Sequence, residues 1–358
     1  MRLASLFALT LASPALADAP RVATDIAPVH SLAAMVMEGI GAPDLILPPG
    51  ASPHDYALRP SDASVLQDAD LVFWAGETLT PWLEDAKDAL TLDATSIELF
   101  SVRGTLHLPY RDSAIFEIKA DGTDDHDHDH DHDHDHSHDD DHAKDDGHAR
   151  DKDHDHAHDK DHDQAHEEDH AHDHGGHTHD HAHDHSGEDP HAWLDPENAK
   201  IWLGAMAAAL SEADPENAAT YQANAEAAVA RIDTLQSELS AQLTAAGDVS
   251  FVVYHDAYQY FENRFDVQTR GAISVSDASA PGAARVAALR DLAASERIVC
   301  VFAEPQFNPS LINAVFEAAD VKTGLLDPLG SDIPVGADLY PALLTQMADA
   351  MAGCSNTG

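Results

Sequence analysis

Residues 215–246 read PENAATYQANAEAAVARIDTLQSELSAQLTAA and contain no glycine and no proline after the first residue. The larger or apolar side chains recur at spacings of three and four, which makes one continuous stripe along a helix. They are Tyr221, Ala225, Ala228, Ile232, Leu235, Leu239 and Leu243, and Gly247 follows as a natural stop. Such a helix is about 48 Å long, more than one small domain needs. We expect a single rigid helix that bridges two lobes; the alternative is a long helix lying on one domain.

On both sides of this helix, short β-rich or apolar runs alternate with helical segments. The predicted strands are Arg21–Thr24, Leu45–Leu47, Ala69–Trp74, Ser250–Tyr254, Arg270–Ile273, Arg297–Phe302 and Thr323–Leu326. Four helices are expected to open with a capping residue and a proline, at Thr80-Pro81, Asp195-Pro196, Asp214-Pro215 and Asn308-Pro309. This alternation indicates α/β layers with largely parallel sheets. We expect an N-terminal α/β lobe over 18–214 and a C-terminal α/β lobe over 247–358.

The N-terminus has the pattern of a secretory signal. Met1-Arg2 is followed by an apolar run over 3–11 and by the small-residue ending Ala15-Leu16-Ala17. We expect cleavage of residues 1–17 and export to the periplasm. No cysteine follows the cleavage site, and no later stretch reaches about 18 uninterrupted apolar residues. The mature protein is therefore expected to be soluble and not membrane-anchored.

The sequence contains two cysteines, Cys300 and Cys354. In an oxidising compartment an isolated pair is most simply a disulfide, and the alternative is two free thiols. By the chain-entropy model this bridge contributes about 4 kcal/mol to stability.

The chain is strongly acidic. Its 358 residues include 19 Lys+Arg and 65 Asp+Glu, giving a formal net charge of −46 with histidine neutral. This charge repels phosphate, which argues against nucleic acid or an anionic membrane surface as a partner and suits a cation ligand. Most of the 27 histidines lie in one tract of alternating His and Asp. Because this tract has almost no apolar residue to bury, we expect 122–188 to be a disordered loop inserted in the N-terminal lobe.

Outside the tract, three histidines lie where strands end or helices begin. His54 is in a Pro/Gly-rich loop, His191 just precedes a predicted helix, and His255 ends a predicted strand. Asp327, directly after another strand, is a fourth candidate, since α/β folds place ligand sites at such positions. Three imidazoles and one oxygen suit Zn²⁺, and a shared site would lie in the cleft between lobes. From spacing alone the alternative stays open that each histidine is structural, because no compact metal motif is present.

Two further histidines are expected to have no part in such a site. His30 is predicted to be a capping or surface residue at a helix start. His107 is predicted to be a loop residue.

Five strings carry a resemblance across essentially the whole mature chain. They are GASPHDYALRPSD at 50–62, DPHAWLDP at 189–196, YHDAY at 254–258, FAEPQF at 302–307 and LDPLG at 326–330. Together with the acidic His-rich insertion and the late cysteine pair, they resemble the periplasmic zinc-binding proteins of ABC uptake systems (ZnuA-like). The resemblance implies two α/β lobes bridged by one long helix. It also implies a zinc ion held between the lobes by His54, His191 and His255.

The resemblance also bears on the fourth ligand. In such proteins this position varies among an acidic residue beside the first histidine, the late aspartate and a water. Pro53 precedes His54 in this chain and cannot ligate through its side chain, which favours Asp327 over water or Asp55. Manganese-binding relatives look to carry Glu where this chain has His255. A manganese or nickel carrier is the nearest alternative.

The His/Asp tract is expected to bind additional zinc, because imidazoles beside carboxylates offer many weak, interchangeable sites. The histidines predicted to take part are His126, His128, His130, His132, His134, His136, His138, His172, His174, His177, His179, His181, His183 and His185. Binding there should fade as the pH falls through about 6.5, since the ligands must be deprotonated. We expect the tract to capture zinc and pass it to the cleft. The alternative is a solvated acidic linker.

The leading interpretation is a solute-binding protein, not an enzyme, that binds Zn²⁺ and hands it to an ABC-type zinc permease. It is expected to be a monomer, and an accessory periplasmic zinc chaperone is a further candidate partner. A second interpretation is a secreted zinc hydrolase with Glu304 or Asp256 as base, although no short ligand-plus-base motif is present. A third is a metal-buffering or adhesion protein with no transporter partner.

Overall fold

Two parallel β-sheets of four strands organise the part of the chain that the structure describes. The computed structural model describes residues 19–91, 94–111, 113–116, 187–274, 281–295, 298–317 and 321–355. The first sheet contains β1 Val22–Thr24, β2 Asp44–Leu45, β3 Leu71–Trp74 and β4 Thr95–Glu98. The second contains β5 Phe251–His255, β6 Thr269–Ser274, β7 Cys300–Ala303 and β8 Lys322–Leu325. The prediction of two α/β halves with parallel sheets is confirmed.

Both sheets have the same topology. The strand orders are β2-β1-β3-β4 and β6-β5-β7-β8, and every neighbouring pair is parallel. The carboxyl ends of the strands in a sheet therefore share one edge. The order reverses between β1 and β3 in the first sheet and between β5 and β7 in the second. Loops diverge at such a switch point and leave a crevice in which α/β proteins bind ligands.

Helices connect the strands. Within the described residues they are α1 Ala27–Val36, α2 Pro60–Asp68, α3 Pro81–Leu90, α4 Pro196–Ala213, α5 Ala218–Ala246, α6 Gln259–Phe265, α7 Ala283–Ser295, α8 Ser310–Phe316 and α9 Leu339–Ser355. Helices α3 and α4 begin at proline as predicted, and the Asp195 side chain caps α4 by accepting from the Glu197 N–H at 2.9 Å.

Two predicted helix starts are wrong. Helix α8 begins at Ser310, one residue later than predicted. Helix α5 begins at Ala218, because Pro215 lies in a turn. Oδ2 of Asp214 accepts from Asn217 Nδ2 at 2.7 Å and from the Tyr221 hydroxyl at 3.0 Å. These bonds hold the turn between α4 and α5.

Helix α5 spans 29 residues, so it is about 44 Å long. The predicted stripe is buried, except that Leu235 is only half-buried. Helix α5 packs along α4 and also contacts α1, α6 and α9. Because α1 follows β1 whereas α6 and α9 follow strands of the second sheet, the prediction of a long helix joining both halves is confirmed.

The disulfide between Cys300 and Cys354 is formed, with the two Cα atoms 6.0 Å apart. It joins β7 to the end of α9, and both residues are buried in the largest hydrophobic core. The predicted pairing is confirmed.

Several predictions fall outside the described residues. They concern the signal peptide 1–17 and all of the tract histidines, whereas 187–188 at the end of the insertion are described. The lobe boundaries stay a prediction. No helix in the described ranges is both long and apolar enough to cross a membrane.

The two ends of the insertion pair with each other. Tyr110 N–H donates to the Gly187 carbonyl at 3.2 Å, and Asp189 N–H donates to the Leu108 carbonyl at 2.7 Å. Pro109 and Glu188 form the antiparallel bridge between these bonds. This pairing fixes the chain two residues before His191.

Candidate metal centre

Three histidines from distant parts of the sequence meet in one cavity. His54 comes from the loop after β2, His191 precedes the short 3-10 helix Ala192–Leu194, and His255 is the last residue of β5. One ring nitrogen of each lies within 4.8 Å of the others. Within the described ranges, this is the only group of three or more His, Cys, Asp or Glu side chains with such spacing.

Two of the three distances between these ring nitrogens match those around a tetrahedral metal ion. Nε2 of His191 lies 3.4 Å from Nε2 of His54 and 3.4 Å from Nε2 of His255. Zinc–nitrogen bonds of about 2.0–2.1 Å at tetrahedral angles place two nitrogens about 3.3–3.4 Å apart. The residues around these nitrogens line a small cavity.

A buried carboxylate orients His191. Oδ1 of Asp189 lies 2.7 Å from Nδ1 of His191 and also accepts from its backbone N–H at 3.0 Å. Burial raises the pKa of Asp189 to about 7. When Asp189 is ionised its carboxylate only accepts, so the paired Nδ1 carries the proton and Nε2 presents its lone pair to the cavity.

His255 has the equivalent arrangement on the second sheet. Oε1 of Glu304 lies 2.7 Å from Nδ1 of His255 and accepts from its backbone N–H at 3.2 Å. Glu304 directly follows β7, so the pair spans the switch point between β5 and β7. Burial raises the pKa of Glu304. With both partners ionised, the lone pairs of His191 and His255 converge, an arrangement that a cation between them would stabilise.

His54 is held through its loop. The indole Nε1 of Trp82 donates to the carbonyl of Pro53 at 2.7 Å. The ring of Tyr56 packs against that of Trp82, with centroids 5.2 Å apart. Helix α3 thus fixes the backbone on both sides of His54, which is itself half-buried.

Buried ion pairs fix the segments around the other two histidines. Arg264 on α6 binds Asp195 through two contacts, of 2.7 and 2.8 Å. Arg111 binds both Asp256, with Nε to Oδ2 at 2.9 Å, and Glu262, with Nη1 to Oε2 at 2.9 Å. The two bases considered for a hydrolase are therefore engaged, Asp256 by Arg111 and Glu304 by His255.

The structure does not bring Asp327 into the three-histidine group. Its Oδ1 accepts from Leu329 N–H and from Gln306 Nε2, each at 3.0 Å. Its Oδ2 accepts from the N–H of Ser331 at 2.6 Å and from the hydroxyl of the same residue. Asp55 is exposed in the loop beside His54 and is likewise outside the group. Direct ligation by Asp327 stays a prediction.

The carboxylates that orient the histidines were not predicted from the sequence. Asp189 could have been found, because it stands two residues before His191. Glu304 is 49 residues from His255, and no local signal joins them. His30 is not the predicted surface or capping residue: it is buried in α1 with Nε2 2.9 Å from the carbonyl of Pro43. His107 lies in a loop as predicted, with Nδ1 2.8 Å from Glu188.

The paired α/β sheets and the inward-facing histidines define a metal-binding protein of the solute-binding class. The family described as "Zinc-uptake complex component A periplasmic" (ZnuA) matches residues 22–354. The chain belongs to this family, which is a family of transport components and not of enzymes.

Relatives and solved structures agree with this membership. The chain is 44% identical over 346 residues to the high-affinity zinc uptake system protein ZnuA of Paracoccus denitrificans (strain Pd 1222), covering 96% of this chain and 94% of the relative. It is 42% identical over 333 residues to the protein of the same name from Brucella abortus (strain 2308), covering 93% and 91%. A solved structure titled "Crystal structure of ZnuA" has the same fold, with a TM-score of 0.64 at 21% identity over 93% of this chain and 99% of that one.

Proposed function

We propose that this protein binds Zn²⁺ through Nε2 of His54, His191 and His255 and delivers it to an ABC-type permease. The observation that carries the proposal is that Nε2 of His191 lies 3.4 Å from Nε2 of both His54 and His255 at one small cavity. Membership of a zinc-uptake family supports the same conclusion.

The donor set favours zinc over the manganese alternative. Three imidazole nitrogens without a carboxylate in the group suit a borderline ion, whereas Mn²⁺ and Mg²⁺ prefer more oxygen. Nitrogen separations of 3.4 Å fit tetrahedral zinc.

The arrangement of the ligands suits release as well as binding. His54 belongs to a loop attached to the first sheet, whereas His255 is part of the second sheet. A movement of that loop, or of one half against the other, would separate the nitrogens without unfolding either sheet.

The finer features of the proposal come from the sequence. They are export through a cleaved signal at 1–17, action as a monomer, delivery to the permease with an accessory periplasmic chaperone as a further partner, and capture of additional zinc by the His/Asp tract. Acidic charge supports attraction of the cation, since the formal net charge is −46.

Calorimetry with zinc on the wild type and two histidine variants tests the proposal. His255→Ala removes one of three nitrogen donors and should abolish the tightest binding event. His107→Ala, whose imidazole pairs with Glu188 outside the cavity, should bind as the wild type does. Unchanged tight binding in His255→Ala would refute the site.

The transport role needs a cellular test. A strain that lacks the protein should stop growing under zinc chelation and should recover when excess zinc is added. Restoring the wild-type gene should restore growth, and restoring His255→Ala should not. Equal rescue by both would contradict delivery from this site.

A further inference from the structure

Two buried acceptor atoms of residues that line the metal cavity have no hydrogen-bond partner among the described residues: Oε2 of Glu304, whose Oε1 already pairs with His255, and Oε1 of Gln306. The Gln306 side chain lines the same cavity as the three histidines, two residues after Glu304. Buried acceptors are nearly always paired. An unpaired one beside three metal-facing nitrogens indicates a donor that arrives with the ion.

The orientation of the Gln306 amide follows from its partner. Its Nε2 donates to Oδ1 of Asp327 at 3.0 Å, and that same oxygen accepts from the N–H of Leu329 at 3.0 Å. Oδ2 of Asp327 accepts from the N–H of Ser331 at 2.6 Å. Both carboxylate oxygens therefore act as acceptors, and a flipped amide would set two acceptors against each other. Oε1 is thus held on the side away from Asp327.

We propose that the fourth ligand of the zinc ion is a water molecule and that Oε1 of Gln306 accepts a hydrogen bond from it. Asp327 is then a positioning residue that acts through Gln306, not a ligand. The inference rests on the proposed function and assigns the fourth side of the same site.

The chemistry of a bound water fits this acceptor. Zinc polarises its water and makes it a stronger hydrogen-bond donor. Three neutral imidazoles and a water also leave the charge of the ion less compensated than a carboxylate ligand would. That favours release, which a delivery protein requires.

The first test is a double-mutant cycle on zinc affinity, measured by competition with a chelator. Gln306→Leu removes the acceptor and should weaken zinc binding about 10- to 100-fold, the usual effect of losing a partner of a metal ligand. Asp327→Asn should weaken it less, and it should have no further effect in the Gln306→Leu background, because it acts through that residue.

The matched control is Gln259→Leu. Oε1 of Gln259 is also buried without a partner in the described part of the chain, but this side chain lines a different cavity. Its zinc affinity should equal that of the wild type.

The second test detects the water directly. The visible spectrum of the protein loaded with Co²⁺ reports coordination, and added azide should change it by displacing the bound water. Asp327→Asn should respond to azide in the same way. A wild-type spectrum that azide leaves unchanged would overturn the inference. The inference would also be overturned if Asp327→Asn lowered zinc affinity more than Gln306→Leu does and the two effects added in the double variant.

Failure of the inference can be told from failure of the proposed function. If His255→Ala binds zinc as tightly as the wild type, the three-histidine site itself is wrong. If His255→Ala loses the tight ion but Gln306→Leu matches both the wild type and Gln259→Leu, only the role of Gln306 is wrong.

Discussion

Each of two cavity histidines is held by a buried carboxylate from the same half of the chain. Asp189 fixes His191, and Glu304 fixes His255, both through Nδ1 at 2.7 Å. The carboxylate sets the tautomer and makes the opposite nitrogen a better donor to a metal. The ability of the site to bind a metal therefore depends on which ring nitrogens of His191 and His255 carry protons, as well as on where the three rings lie.

Replacing Glu304 tests this orientation. Glu304→Gln keeps the shape of the side chain but removes its charge, so zinc affinity should fall about 10-fold, as measured by chelator competition. Glu188→Gln is the control, because Glu188 binds Nδ1 of His107 at 2.8 Å outside the cavity. Equal affinities in the two variants would show that the Glu304 charge has no part in binding.

A carboxyl group outside the site should make stability depend on pH. Asp25 follows β1 and is fully buried, with Oδ1 accepting from Ile26 N–H and Oδ2 from Ala75 N–H, each at 2.7 Å. Burial raises its pKa from 3.8 to about 7, although these backbone hydrogen bonds oppose the shift. Between about pH 4 and pH 7 the folded protein therefore keeps the Asp25 carboxyl group protonated, whereas the unfolded chain has already released this proton.

The sign follows from that difference. The Asp25 contribution to the free energy of unfolding is greatest below about pH 4 and decreases as the pH rises towards 7. Asp25→Asn cannot titrate, so urea unfolding at several pH values should show a smaller decrease over this range than in the wild type. The same decrease in both proteins would contradict the raised pKa.

At the scale of elements, the sequence predicted strands and helices wherever apolar periodicity was strong. It missed β4, Thr95–Glu98, because this edge strand has only exposed or half-buried side chains and one large apolar residue. It placed the start of α5 too early, because Pro215 marks a turn stabilised by Asp214. The three histidines could be singled out from the sequence only because they stand where strands end or helices begin. The roles of Glu304 and Gln306 could not be predicted, because they depend on contacts with residues distant in the sequence.

An unpredicted contact joins the root of the insertion to the second sheet. Phe116 N–H donates to the Arg270 carbonyl at 3.0 Å, and Ala272 N–H donates to the Ala114 carbonyl at 3.3 Å. Ile115 and Gly271 form the antiparallel bridge between them, on the edge strand β6. The backbones can approach this closely because residue 271 has no Cβ, which would overlap the Ala114 carbonyl oxygen.

Adding that Cβ should destabilise the protein. Gly271→Ala is expected to lower the free energy of unfolding by about 1–3 kcal/mol, the cost of overpacking, measured by urea denaturation. Gly204→Ala is the control, since Gly204 is exposed on α4 and a Cβ added there would meet no atom within 4 Å. That change should stabilise α4 by about 0.5–1 kcal/mol. If Gly271→Ala left the free energy of unfolding unchanged, segment 114–116 would not be docked on β6.

For the whole molecule, two sheets of the same strand order supply one site. The second sheet contributes His255 and Glu304 at its switch point, and the long helix α5 packs against helices of both halves. In the proposed function, the spacing of the ligands depends on how the halves and the His54 loop are arranged, and that dependence would allow both binding and release.

The His/Asp tract should be separable from this site. Deleting 124–186 leaves all three cavity histidines in place and keeps Gly187, whose carbonyl accepts from Tyr110 N–H, so the variant should keep one tight zinc ion per chain. Because the tract histidines are gone, the total zinc bound at saturation should fall, as measured by metal analysis and calorimetry. If the deletion abolishes the tight binding of zinc, the hypothesis of one tight site separate from weaker sites on the tract is wrong.

The most direct measurement is anomalous diffraction at the zinc edge from crystals of the zinc-loaded protein. We expect one strong peak about 2.0–2.1 Å from Nε2 of each of His54, His191 and His255. Rings turned away from one another, with no anomalous peak between them, would contradict it.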